Sequence, residues 1–213
     1  IMDVIDKWAP EGWYTNQRKY FREAIEEKGA WYQLIQKVYA LDAGVRKAFF
    51  QNFMINASLK GSIKQDKASA KYDCNIPWAV LLDPTSACNL KCTGCWAAQY
   101  GYKNNLSYED IDSIIKQANA LGCYMFIYTG GEPLVRKKDI IKLCEAHPDC
   151  AFLSFTNGTL IDAEFCKDML RVKNFVPAIS LEGFEEANDS RRGQGVYEKV
   201  MRACELLKKH KLA

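Results

Sequence analysis

Histidine is nearly absent, with two residues in 213. A metal site built on imidazole is therefore a poor expectation for this chain. Net charge is also small: 29 Lys and Arg against 26 Asp and Glu leave +3. That surplus is spread along the chain and offers no basic face for nucleic acid or an anionic membrane. No run of 18 or more apolar residues occurs, so a membrane-spanning helix is not expected. Residues 1–4 lack a basic stretch ahead of an apolar core, so they are not expected to be a signal peptide. A start at Ile1 is expected to lie inside a longer natural chain.

Cysteine, by contrast, is plentiful, at nine residues. The odd count and the long helix-forming stretches do not suit a secreted disulfide scaffold. Cys123, Cys144, Cys166 and Cys204 fall in apolar periodic segments and read as small buried hydrophobes. A reducing, cytoplasmic setting is the expectation. Cys88, Cys92 and Cys95 are the exception, three cysteines within eight residues.

The chain divides by texture. Residues 1–75 read as a helical extension ending in a linker. Over residues 42–60, Val45, Phe49, Phe53 and Ala57 recur at helical spacing. Trp8, Trp13, Tyr14, Trp31 and Tyr32 crowd the segment before it. Packing on the main domain is the expected use of these aromatics, with a partner or membrane surface as the alternative. Residues 61–75, rich in Lys, Ser and Ala, read as a linker or exposed arm.

Residues 76–213 alternate strand and helix four times. Strands are expected near residues 79–82, 123–128, 151–156 and 175–181. Helices are expected over 107–122, 137–147, 161–172 and 196–209. Ser107 followed by Asp110 marks a helix start, and Gly122 a helix end. Such alternation predicts an α/β fold with a parallel sheet, whose chemistry collects at the carboxyl ends of the strands.

The loop after the first strand holds Cys88, Cys92 and Cys95, spaced by three residues and then two. Thiolates hold iron–sulfur clusters. Three of them satisfy three irons of a 4Fe–4S cube and leave the fourth open. Zinc stays an alternative, but it wants four closed ligands, and Cys74 would have to supply the fourth. After the second strand comes Thr129-Gly130-Gly131-Glu132-Pro133. Its glycines permit close backbone approach to a ligand, and Glu132 can meet an ammonium group. Thr156-Asn157-Gly158-Thr159 follows the third strand as a turn signal. After the fourth, alternation puts Ser180 and Glu182 on one face. Arg192 or its neighbour Arg191 suits a carboxylate through paired hydrogen bonds.

These motifs together resemble the radical S-adenosylmethionine (radical SAM) superfamily. The run Thr85-Ser86-Ala87-Cys88-Asn89-Leu90-Lys91-Cys92 is similar to the branch of molybdopterin-precursor synthases and peptide-modifying enzymes. The resemblance implies a partial (β/α) barrel, of which four βα units are present and which is expected to be incomplete at its C-terminal side. It implies a 4Fe–4S cluster on Cys88, Cys92 and Cys95. It implies S-adenosyl-L-methionine held by Gly130, Gly131, Glu132, Pro133, Ser180, Glu182 and Arg192. In relatives the Gly-Gly-Glu segment holds the methionine amino group and the arginine its carboxylate. Gly94 departs from the family, which usually has an aromatic there; Trp96 is the expected substitute near the adenine. The implied activity is reductive cleavage of S-adenosylmethionine to a 5′-deoxyadenosyl radical that takes hydrogen from a substrate. An external one-electron reductant, flavodoxin- or ferredoxin-like, is the implied partner. The alternative is a non-catalytic iron–sulfur or zinc protein acting as electron carrier or partner-binding module.

Overall fold

The computed structural model describes residues 14–212 together with residues 3, 6, 11 and 12. Trp8 and Trp13 lie outside the described residues. The chain forms two compact units, residues 1–41 and 42–213. The expected boundary at 75 therefore differs from this division, which groups residues 42–75 with the sheet. In the first unit, α1 (Thr15–Glu26) and α2 (Ala30–Ala40) are joined by a tight turn with Lys28 at positive φ. Phe21 meets Trp31 edge to face at 5.9 Å. Neither helix buries a residue.

The second unit opens with α3 (Ala43–Phe49), capped by Asp42, whose carboxylate accepts from the Gly44 and Val45 amides. The helix then widens to i→i+5 bonding over Phe50–Lys60 and continues as α4 (Gly61–Tyr72). Residues 61–72 are thus helix, not the expected linker. Two features hold them. Gly61 and Gly122 pack so closely that a Cβ on either would stand under 3 Å from the other's carbonyl oxygen. Gln65 also donates to the Gly122 carbonyl at 2.8 Å. A lysine- and alanine-rich segment has good helix propensity, and these contacts dock it. In the wide segment, buried Asn52 and Asn56 donate to the carbonyls of Pro148, Cys150 and Asp149. Those bonds satisfy the loop that leads into the third strand.

Four parallel strands follow in sheet order β1 (Ala79–Thr85), β2 (Met125–Gly130), β3 (Ala151–Thr156), β4 (Phe175–Ile179). The crossovers are α5 (Tyr108–Ala120), α6 (Lys137–Ala146) and α7 (Ala163–Val172). After β4 come α8 (Glu185–Arg192) and α9 (Val196–Lys209). The four strands and four of these helices sit where apolar periodicity predicts them. Ser107 and Asp110 form the reciprocal capping box at the start of α5, a device worth about 1 kcal/mol. The helix α8 was not expected, because its sequence EEANDSRR shows no apolar stripe and buries only Asn188.

One face of the sheet packs on the helices through Leu82, Phe126, Tyr128 and Phe152. On the other face Leu81, Ile127, Leu153 and Val176 stand in one register row. Leu81 and Val176 are exposed there. Pro84 and Pro177 sit in β1 and β4, the two edge strands among the described residues, where a missing N–H costs no ladder bond.

Candidate active site at the carboxyl ends of the strands

Three loops leave the sheet at the same end and interlock. The exit of β1 is held first. Thr85 Oγ1 donates to Asn105 Oδ1 at 2.5 Å and accepts from the Ala87 amide at 3.0 Å. The Ser86 amide donates to the Asn104 carbonyl. From the neighbouring strand, the Gly131 amide donates to the Thr85 carbonyl at 2.9 Å and the Glu132 amide to the Ala87 carbonyl at 2.8 Å. Glycine is required at 131 for a steric reason: a Cβ there would stand 2.2 Å from the Ala87 carbonyl oxygen. Gly130 has φ +100°, and a Cβ there would lie 2.8 Å from the Thr85 oxygen. The glycine pair thus lets β2 meet the root of the cysteine loop.

Glu132 is buried, 1% exposed. Its Oε1 accepts from the Leu134 amide (2.9 Å) and the Thr156 hydroxyl (2.7 Å), and its Oε2 from the Asn157 amide (2.7 Å). Burial pushes its carboxyl above the ordinary range; these bonds and the charge of Arg192 offset only part of that. Pro133 is buried as the first residue of a short 3₁₀ turn, Pro133–Arg136. The side chains of Glu132 and Pro133 are therefore turned into the protein, where they brace β2 against β3.

Cys88, Cys92 and Cys95 are free thiols, each half-buried on the one loop. Cys88 Sγ accepts from the Leu90 amide at 3.4 Å. Burial raises the Cys88 thiol, and the charges of Glu132, Cys92 and Cys95 raise it further. Burial also raises Cys92, while the guanidinium charges of Arg192 and Arg191 lower it. Among the described residues no three His, Cys, Asp or Glu side chains converge on a single metal ion. Three thiols on one loop are a donor set that fits a 4Fe–4S cluster with one iron left open.

The fourth strand delivers the cationic side of the site. The Ser180 amide donates to the Thr156 carbonyl at 2.8 Å. Glu182 accepts from Arg192 Nη2 at 2.5 Å and from Arg191 Nη1 at 2.8 Å. The Arg192 guanidinium, helped by that of Arg191, holds the Glu182 carboxyl below its ordinary range. Arg192 Nε is buried with no hydrogen-bond partner. The charge of Arg192 acts on both Cys92 and Glu132. Arg191 is tied to the cysteine loop by a 2.8 Å bond from the Thr93 amide to its carbonyl. Trp96 is exposed and meets Tyr100 edge to face at 5.7 Å.

The profile of the family described as the Radical SAM superfamily matches residues 82–213. The chain belongs to the radical SAM superfamily. Its curated relatives include the Fe-coproporphyrin III synthase of Methanosarcina barkeri, 34% identical over 58% of this chain and 32% of that protein. Another is a cysteine-type anaerobic sulfatase-maturating enzyme of Clostridium perfringens, 32% identical over 64% of this chain and 42% of that one. Among solved structures, native anSMEcpe with bound AdoMet and Kp18Cys peptide aligns with TM-score 0.55 at 28% identity. That alignment covers 63% of this chain and 41% of the other. The radical SAM chain thus spans about a third to two-fifths of the length of these relatives.

The structure sets Cys92 in the field of Arg192 and Arg191, which pair with Glu182, and sets the Gly130–Gly131 pair against the base of the cysteine loop. The run Thr156-Asn157-Gly158-Thr159 reads as a structural turn, and it fastens Glu132 and Asn89. Residue patterns gave no signal for the fastening roles of Thr93 and Asn105.

Proposed function

We propose that this chain is the cluster- and cofactor-binding part of a radical SAM enzyme. Cys88, Cys92 and Cys95 would hold the 4Fe–4S cluster. Arg192 would bind the carboxylate of S-adenosylmethionine, with Ser180 and Glu182 beside it and Trp96 available to the adenine. Once loaded, such a site supplies one electron to the sulfonium, giving methionine and a 5′-deoxyadenosyl radical that takes hydrogen from a substrate. The chain's own residues do the placing. Gly130 and Gly131 seat β2 against the cysteine loop, and Glu132 locks that junction to β3. Glu182 aims Arg192. An external one-electron reductant of the flavodoxin or ferredoxin class completes the proposal. No described helix is long and apolar enough to cross a membrane.

The observation that carries this reading is the buried, unpartnered Arg192 Nε next to a three-cysteine loop at the carboxyl ends of parallel strands. An electron carrier has four protein ligands per cluster and no need of that donor. The test is anaerobic reconstitution with iron and sulfide, then dithionite and S-adenosylmethionine. Formation of 5′-deoxyadenosine supports the proposal. A stable cluster that never cleaves the cofactor selects the electron-carrier alternative, and tight zinc without iron selects the other.

A further inference from the structure

Asn157 is 6% exposed and joins three loops at once. Its amide donates to Glu132 Oε2 at 2.7 Å. Its Oδ1 accepts from the Thr159 amide at 3.0 Å and the Thr159 hydroxyl at 2.7 Å. With both acceptor directions taken, the NH₂ end of the carboxamide is forced toward the cysteine loop. There it donates to Asn89 Oδ1 at 2.9 Å and points at Cys88 Sγ at 4.0 Å. Asn89 is fixed in turn, its NH₂ donating to Thr159 Oγ1 at 2.8 Å. The orientation is therefore determined by four bonds, and a flipped amide would oppose donor to donor at Thr159.

An N–H aimed at a ligand sulfur withdraws electron density from it. The reduced form of a cluster carries one more negative charge than the oxidised form. A donor beside the sulfur therefore favours reduction and raises the potential. We propose that Asn157 is a positioning residue for Cys88, and that its carboxamide NH₂ raises the reduction potential of the cluster held by this loop. This rests on the function proposed above. It assigns to the turn after β3 an electronic task beyond closing the chain.

The experiment uses the whole chain, reconstituted anaerobically, in three variants. Asn157→Leu keeps the bulk and removes the donor. Asn157→Asp keeps the acceptor for Thr159 and replaces the NH₂ with a charged oxygen. Lys137→Met removes the 3.2 Å bond to the Leu160 carbonyl and so loosens the same turn without touching the Asn157 carboxamide or Asn89. Iron and sulfide content are measured first, then the cluster's midpoint potential by electron paramagnetic resonance during redox titration. Asn157→Leu should hold a full cluster but lower the ratio of reduced to oxidised cluster about tenfold at a fixed applied potential, equivalent to about 59 mV for one electron. Asn157→Asp should lower it further, and Lys137→Met should leave it near the parent value. A full cluster with unchanged potential in both Asn157 variants overturns the proposal and leaves the function intact. An equal drop in Lys137→Met also overturns it, because loosening alone would then suffice. A parent chain that assembles no cluster overturns both.

Discussion

Cys144 and Cys88 are the same side chain in two settings. Cys144 lies on α6, 1% exposed, with its thiol pushed well above the ordinary range by burial. Cys123, Cys150 and Cys166 share that interior and the same upward push. Cys150 accepts from the Asn119 side chain at 3.4 Å, yet burial outweighs that donor, so these thiols act as core. Cys88, Cys92 and Cys95 sit instead on a half-buried loop with the Leu90 amide and two guanidinium groups nearby. Burial still raises Cys88 and Cys92, and their mutual repulsion adds to it. In the function proposed above, a cationic cluster would offset that rise. Reactivity here follows from surroundings, not from the count of cysteines.

The sharpest way to break the comparison is to exchange the two classes. Replacing Cys88, Cys92 or Cys95 by Ala should abolish the cluster's visible absorbance and paramagnetic signal after reconstitution. Cys144→Ala should keep both and lose about 1 kcal/mol of stability through lost packing. A triple Ala variant that still assembles a normal cluster would refute the assignment.

Next in size is Gly131→Val. Its side chain would drive into the Ala87 backbone, an overpacking that should cost about 3 kcal/mol. Cluster yield and melting temperature should fall together. Gly94→Ala is the matched control: φ is +70°, but a Cβ there meets nothing within 4 Å. It should cost about 1 kcal/mol through backbone strain alone. Equal melting temperatures for the two variants would mean that the loop root is not clamped as described.

Arg192→Ala tests the cationic side. It removes the 2.5 Å bond to Glu182 and the unpartnered Nε. Binding of S-adenosylmethionine should weaken by about 2 kcal/mol, the loss expected for a charge-assisted hydrogen bond. Calorimetry on reconstituted protein reads it directly, and an unchanged affinity rejects the role.

The smallest effect concerns Glu132. Its folded-state pKa is raised above the ordinary 4.5, so the folded chain keeps this proton to a higher pH than the unfolded chain. Its contribution to stability is therefore greatest below 4.5 and declines as pH rises from 4.5 through the raised value. Glu132→Gln removes that slope and sets an amide against one of three donors, at a cost of about 1 kcal/mol. Melting curves of parent and variant should converge as pH rises; parallel curves would contradict the raised pKa.

Much of the sheet was legible because apolar periodicity reports burial on one face. The strand over residues 151–156 and the helix over 196–209 match their expected spans to the residue. The family was legible because the spacing of its cysteines is chemical. What stayed hidden was held by polar contacts between residues far apart in the chain. Glu132 reads as a partner for an ammonium group, and nothing local shows that Thr156 and Asn157 also bond to its oxygens. The helix α8 was hidden because it buries almost nothing, and residues 61–72 because the Gly61, Lys64 and Gln65 contacts that dock them reach residues far along the chain.

The junction at Gly131 constrains how this protein can vary. The obstacle to a side chain there is the carbonyl of residue 87, a main-chain atom. No substitution at 86 or 87 can shrink a carbonyl, so an intragenic suppressor of Gly131→Val cannot arise by trimming the neighbour it strikes. Only a shift of the whole turn could make room, and that turn is fastened at Thr85, Ser86 and Ala87 by three separate partners. A selection for second-site revertants should therefore return true reversions to glycine, whereas the same selection started from Gly94→Ala should return a scatter of unlinked stabilising changes.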